Sequence, residues 1–524
     1  MTQPLIEFSH VTKNYGALRA NDDLSFAINR GSIHAIIGEN GAGKTTAMKL
    51  LFGLEAPSAG EILYNGAPRS WTSPRGAMAA GIGMVHQHFM LSLVHSALDN
   101  VILGRETGTL GGKVSVFARS LLPINREKLL AELDLLAKDI GFEIPWNEPA
   151  GLLPVGIQQQ LEIIKLLHAG VDLMIFDEPT AVLSPDETRN FLLMIKSLNK
   201  LGRTVIIITH KLKEVKAVAD RITVLRRGKS VGTVACDEVS VQDMADLMVG
   251  RHVHLGDLSR AAPRFGDPIL TVRNLTITHK GREKSLMDLS LTIRSGQVIG
   301  IAGVEGSGQS ELFNFIRDPH RAHVGAGSTK GEIEILGQNA ARWTNHDVRL
   351  GSIAIVPADR LREAILPEET LLENDLLGHD HEFGIIKALG RQWIDRISLK
   401  QRLLKELAAF DVRPPNPDAV IGGLSGGNQQ KFVMARELSR NPKLILCAQP
   451  TRGVDVGSIE QIHGEILNRR DQGAGILLIS SQIEELMALS DVIHVMFDGA
   501  IVATFVRGEF DEGKIGMAMG GGLR

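Results

Sequence analysis

The chain has 524 residues, 44% of them hydrophobic and 22% charged, which is too long for one core and ordinary for a multidomain globular protein. A formal net charge of −3 without a long basic run gives no indication of a large electrostatic surface for nucleic acid. Only Cys236 and Cys447 occur, far apart and without metal-ligand spacing, which excludes a disulfide framework and fits a reducing compartment.

The first segment, MTQPLIEFSH, offers neither a basic n-region nor an apolar h-region, and no stretch approaches ~18 uninterrupted apolar residues. A bilayer-spanning segment is therefore not expected, and any membrane role is expected to run through a partner. Residues 5–37 alternate polar and apolar, with turn signals at Asn14-Tyr15-Gly16 and Arg30-Gly31, which predicts a β-rich lead-in. The apolar run Ile33-His34-Ala35-Ile36-Ile37 then meets GENGAGKTT: Gly38, Glu39, Asn40, Gly41, Ala42, Gly43, Lys44, Thr45 and Thr46. A helix-like segment, Ala47 to Phe52, follows. Strand, glycine-rich loop and helix are the context of a phosphate-binding loop. The glycines let successive N–H groups turn inward on an anion, and the helix N-terminus adds partial positive charge. Lys44 is suited to the β- and γ-phosphates and Thr45 to Mg²⁺. The sequence predicts binding of a nucleoside triphosphate.

Tyr15, in the turn before this loop, is suited to stacking on a purine ring. Gln87, after the predicted strand Ile82–Val85, is a neutral donor and acceptor suited to Mg²⁺ or the attacking water; His86 and His88 flank it. Residues 90–150 carry helical periodicity, for example at Leu129, Leu130, Leu133 and Leu136. Buried strands return at Leu173–Phe176 and Val205–Ile208, separated by a helix, so the pattern predicts a parallel α/β sheet. VDLMIFDEPT ends its strand in Asp177, suited to Mg²⁺ through water, and Glu178, suited to orienting and polarising the attacking water. His210, just beyond the next strand, lies on the sheet edge where ligands of such folds bind and is expected to contact the γ-phosphate.

The chain then repeats itself. LSFAINRGSIHAIIG from Leu24 aligns with LSLTIRSGQVIGIAG from Leu289, while Leu153 aligns with Leu424 and His210 with Ser481. Two tandem copies are expected, residues 1–250 and 267–524, joined by a polar linker at 251–266. In the second copy Gln309 stands at the place of Lys44, Ala448 of Asp177, Gln449 of Glu178, Ser481 of His210, Ala358 of Gln87 and Lys280 of Tyr15. The point charge on the phosphates and both carboxylates are gone, so turnover at this loop is not expected. Conversely, the second copy carries LSGGNQQK, whose Ser425, Gly426 and Gly427 open a helix suited to phosphate, with Asp455 in the TRGVD stretch beyond. The first copy has LPVGIQQQ, where Pro154 removes both the hydroxyl and the N–H. GHDHEFG, with His379, His381 and Glu382, reads as a solvated loop, and GMAMGGGLR as a flexible end.

The order of phosphate loop, glutamine, LSGGQ-like signature, DEPT and TH resembles the ATP-binding cassette (ABC) ATPases over nearly the whole chain. That resemblance implies two tandem α/β cassettes, each a P-loop parallel-sheet core with a β-rich lead-in and a helical subdomain. It also implies head-to-tail pairing, each ATP lying between one phosphate loop and the signature of the other cassette. So paired, the intact loop faces the intact signature, and the disarmed parts share the other site. Two fused cassettes with a degenerate second half are similar to ATPases of bacterial sugar and nucleoside importers. GIGMVHQHFML, EPTAVLSP and AQPTRGVDVGSIEQIH resemble the nucleoside branch, whereas the monosaccharide branch typically keeps an acidic DEPTRG in the second half. Pro154 and Ile157 depart from the branch's usual LSVGEQQ. The family implies an ATPase with Mg²⁺ at the cytoplasmic face of the plasma membrane. Its implied partners are two transmembrane permease subunits and an extracytoplasmic substrate-binding protein. A monosaccharide importer is the alternative, and a soluble tandem-cassette ribosome factor a remote one.

Overall fold

The computed structural model describes residues 3–522 except 17, 72, 87–89, 104–124, 181–184, 253–263, 279–285, 305, 321–327, 351, 379–384 and 389–390. The chain divides into two compact units, Met1–Val253 and His254–Arg524.

In the first unit, β1 (Ile6–Tyr15), β2 (Leu18–Ile28), β4 (Ala59–Tyr64) and β5 (Ala67–Arg69) form an antiparallel sheet in the order β2-β1-β4-β5. A second sheet holds β3 (Ile33–Ile37), β6 (Ile82–Val85), β7 (Leu173–Asp177), β8 (Thr204–Ile208), β9 (Arg221–Arg226) and β10 (Lys229–Ala235), ordered β10-β9-β3-β8-β7-β6. Strands β3, β7 and β8 are buried at every residue, as continuous apolar runs covered on both faces must be. The pairs among β6, β7, β8, β3 and β9 are parallel. The expected parallel-sheet core is present, and at its edge β10 runs antiparallel to β9. Arg227 and Gly228, both at positive φ, close that connection in two residues, too short for a parallel crossover.

Two apolar clusters flank the sheet. One joins Phe8, Ile36, Ala47, Met48, Leu51 and Ile208 beneath the antiparallel sheet. The other packs Phe176, Ile195 and Val205 against Leu133 and Ile163, from the helices Arg126–Asp139 and Val155–His168. Each such aliphatic side chain contributes roughly 1.5–3 kcal/mol by leaving water. Of the helical stretch expected at 90–150, the described part forms Ala97–Ile102 and Arg126–Asp139.

The second unit repeats this plan. Its antiparallel sheet is β12-β11-β14-β15, from β11 (Pro268–Thr278), β12 (Leu286–Arg294), β14 (Ser328–Ile335) and β15 (Gln338–Asn339). Its main sheet is β16-β19-β20-β13-β21-β22, from β13 (Val298–Ala302), β16 (Ile353–Val356), β19 (Leu444–Ala448), β20 (Gly475–Ile479), β21 (Val492–Phe497) and β22 (Ala500–Val506). Strand for strand, this is the order of the first unit. The second unit also holds a hairpin of β17 (Ile385–Ala388) and β18 (Arg391–Ile394).

Candidate active site

Strand β3 lies between β8 and β9, so the loop leaving its carboxyl end opens beside the ends of β8 and β7. The topology thus brings the loop, Asp177–Glu178 and His210 to one sheet edge. The helix Lys44–Leu51 begins at Gly43, whose φ of 95° belongs to the left-handed region. A Cβ there would sit 2.4 Å from Asn21 Nδ2 and 2.5 Å from the Ala20 carbonyl oxygen, so the loop is pressed against β2. Buried Asn21 donates to the Gly43 carbonyl at 3.0 Å and pins the turn.

Lys44 is 5% exposed, and its ammonium donates to the carbonyls of Gly38 (2.7 Å) and Glu39 (3.1 Å). The cation is held inside the loop, where an anion seated on the N–H groups would meet it. Thr45 is exposed and donates its hydroxyl to Asp177 Oδ1 at 3.3 Å. Burial pushes the Asp177 carboxyl above the usual range; Thr45 opposes this, Glu178 adds to it, and Lys44 opposes it. A divalent cation would relieve that cost, so these residues fit Mg²⁺. Among the described residues no group of three or more His, Cys, Asp or Glu could hold a metal.

Glu178 adopts a φ of 50°, rare outside glycine, and its N–H donates to the Ile208 carbonyl at 2.9 Å. The carboxylate turned out by this strained backbone meets His210 Nδ1 at 3.0 Å. Tyr15, 40% exposed, ends β1 with the Lys13 ammonium 5.1 Å from its ring centroid. Burial, then the Glu55 carboxylate, pushes its phenol up. The structure therefore brings Lys44, Thr45, Asp177, Glu178 and His210 together. Gln87, Lys280, His379, His381 and Glu382 lie outside the described residues.

The second unit keeps the frame without the chemistry. Gly308, at φ 106°, opens the helix Gln309–Arg317, and the Gln309 amide donates to the Val304 carbonyl at 3.1 Å, filling the place of the ammonium. Ala448 joins the apolar cluster that also holds Ile479 and Met496. Gln449 repeats the strained φ, at 51°, and Ser481 donates its hydroxyl to Gln449 Oε1 at 3.2 Å. The glutamate–histidine contact survives as a neutral pair.

Ser425 is exposed and caps the helix Gly426–Leu438, accepting from the Asn428 N–H. Gly427 lies close to the next loop: a Cβ on it would be 2.9 Å from Asp455 Oδ2. Asp455 in turn caps the helix Val456–Asp471, accepting from the Ser458 N–H at 2.9 Å. In the first unit Pro154 caps the corresponding helix Val155–His168 with no side-chain hydrogen bond.

Sequence reasoning passed over three buried asparagines. Asn21 is described above. Asn100 and Asn374 each donate to three backbone carbonyls, those of Ser92, His95 and Ser96 and those of Leu366, Glu369 and Thr370. Each follows a Ser or Thr by four residues, in SALDN and TLLEN, a signal that aligning the two halves would have exposed.

A protein-family model described as ABC transporter matches residues 21–181 and 286–452, and the chain belongs to that family of ATP-binding, ATP-hydrolysing cassettes. Over 525 residues it is 39% identical to the nucleoside import ATP-binding protein NupA of Lactococcus lactis subsp. cremoris, covering 99% of each chain. The glucose import ATP-binding protein TsgD13 of Haloferax volcanii is also 39% identical, over 99% of this chain and 96% of its own. The guanosine import ATP-binding protein NupO of Bacillus subtilis is 38% identical, over 99% and 97%. No helix among the described residues is long and apolar enough to cross a membrane.

Proposed function

We propose that the chain is the ATP-hydrolysing subunit of a nucleoside importer with one working composite site. The observation that carries this reading is the distribution of the lost groups. Lys, Asp, Glu and His are all replaced in the second unit's loop region, at Gln309, Ala448, Gln449 and Ser481, and the signature serine is replaced only in the first, at Pro154. Head-to-tail pairing collects every loss into one site.

In the working site, the loop Gly38–Thr46 and Lys44 hold the triphosphate, with Tyr15 against the purine. Thr45, Asp177 and Gln87 would hold Mg²⁺, which when bound neutralises charge developing on the phosphates. Glu178 orients the attacking water and accepts its proton, while His210 fixes the carboxylate and contacts the γ-phosphate. Ser425, Gly426, Gly427 and Asp455 approach from the second cassette. Two transmembrane permeases, with an extracytoplasmic binding protein, use the cycle from the cytoplasmic face of the membrane. The domain limits 1–250 and 267–524, with the linker 251–266, accompany this reading.

ATP turnover of the full chain tests the site assignment. Glu178→Gln is expected to lower kcat by roughly 10²-fold or more, and Gln449→Ala to leave it within about twofold. Equal losses would show that both loops turn over ATP. The relative that imports glucose favours a second reading, a monosaccharide importer. Ligand screening of the binding protein that serves the same permeases decides between them: retention of ribose or xylose but no nucleoside refutes the first.

A further inference from the structure

One arginine in the second unit touches all the segments that present the signature. Arg360 begins the short helix Arg360–Glu363, two residues past Ala358, and is half-buried. Its Nε donates to Gln429 Oε1 at 3.1 Å, in the first turn of the signature helix. Its Nη1 donates to the Arg452 carbonyl at 3.3 Å, in the loop before Asp455. Its Nη2 lies so near Gly426 that a Cβ there would be 2.5 Å away. Gln429 passes the restraint on, its amide donating to the carbonyls of Ile421 and Leu424, both at 3.2 Å, just ahead of Ser425.

A planar guanidinium can hold two acceptors at a fixed angle, which an ammonium on a flexible stem cannot. The first unit has phenylalanine, Phe89, at the matching place in the sequence. The arginine thus accompanies the signature that kept its serine, and is missing from the half that lost it.

We propose that Arg360 is a positioning residue for ATP turnover: its guanidinium ties the signature turn and the loop before Asp455 to the segment that follows Ala358. The inference rests on the composite-site reading. Ser425 and Asp455 belong to different loops, and both must be in place to meet one nucleotide. Arg360 links one loop to the other through Gln429 and the Arg452 carbonyl.

The test compares Arg360→Ala, Arg360→Lys and Ser425→Ala in the full chain, reading kcat for ATP, the affinity for a fluorescent ATP analogue and the thermal transition. Arg360→Ala is expected to lower kcat roughly 10- to 100-fold, the size of effect that a misplacement of about 1 Å produces. Analogue affinity is expected to stay within about twofold, because the loop that holds the nucleotide lies in the other unit. Arg360→Lys is expected to recover little, since one ammonium cannot hold both acceptors. Should Arg360→Ala disturb folding, Arg360→Lys takes its place in a double variant with Gln429→Ala. Double-variant kinetics then give a combined loss well short of the product of the single losses if the two residues act as one unit, and a multiplicative loss if they do not. A wild-type kcat in Arg360→Ala, full recovery by lysine, or a multiplicative double variant overturns the proposal. An unchanged kcat in Ser425→Ala instead overturns the composite site on which it rests.

Discussion

His34 shows how one side chain ties the first unit to pH. It lies fully buried in β3, its Nε2 2.8 Å from Thr223 Oγ1, and its Nδ1 has no hydrogen-bond partner. Burial, helped by the Arg221 charge, holds its pKa down at about 3. The folded state therefore keeps it neutral, whereas an unfolded chain protonates it near pH ~6.5. Below that value the unfolded state binds the extra proton, so stability is whole above about pH 6.5 and is lost progressively towards pH 3. The loss approaches about 4–5 kcal/mol at the acid end. The second unit has Ile299 at the matching place and lacks this particular loss, although burial also holds down the pKa of its His494. Acid unfolding followed by calorimetry is expected to melt the first unit first, and His34→Ile to flatten its acid limb. An unaltered acid limb in that variant would refute the account. No periodicity marks such a residue: His34 interrupts a strand whose other members are aliphatic, and its neutrality depends on what the neighbouring strand places against it.

The phosphate loop and its helix form an element in which backbone shape precedes side-chain chemistry. Gly43 is confined both by its left-handed φ and by Asn21 and Ala20. Gly41, at φ 81°, meets nothing within 4 Å. Gly43→Ala is therefore expected to cost at least about 2 kcal/mol and to abolish nucleotide binding, and Gly41→Ala to cost about 1 kcal/mol. Thermal denaturation with and without ATP measures both, and equal costs would refute the steric account. This element was the most legible part of the chain, because strand, glycines and lysine are contiguous. Asp177–Glu178 and His210 were legible as well, each ending an aliphatic run. The antiparallel edge strand β10 carries a weaker signal, the single two-residue turn Arg227-Gly228. Arg360 was invisible for a different reason: an isolated arginine carries no pattern, and its three contacts come from segments about 70 and 90 residues away.

At the scale of the molecule, one sequence plan was used twice with unequal chemistry. Restoring one group is then not enough. Gln309→Lys is expected to leave ATP turnover in the Glu178→Gln background at the level of Glu178→Gln alone. The second loop would regain its cation but still lack both carboxylates, and the signature with Pro154 would be unchanged. A radiometric phosphate-release assay reads this directly, and recovered turnover would refute it. The alanine at 448 is a second obstacle. Its methyl group is part of an apolar cluster packed to 5% exposure, with Cys447 buried beside it. An aspartate reintroduced there before a lysine at 309 would be a buried charge without a counter-ion, at a cost of several kcal/mol. An acid set at 448 would be as shut from water as Asp177, which is 6% exposed, but without the neighbour that Asp177 has in Lys44, so the cation must come first.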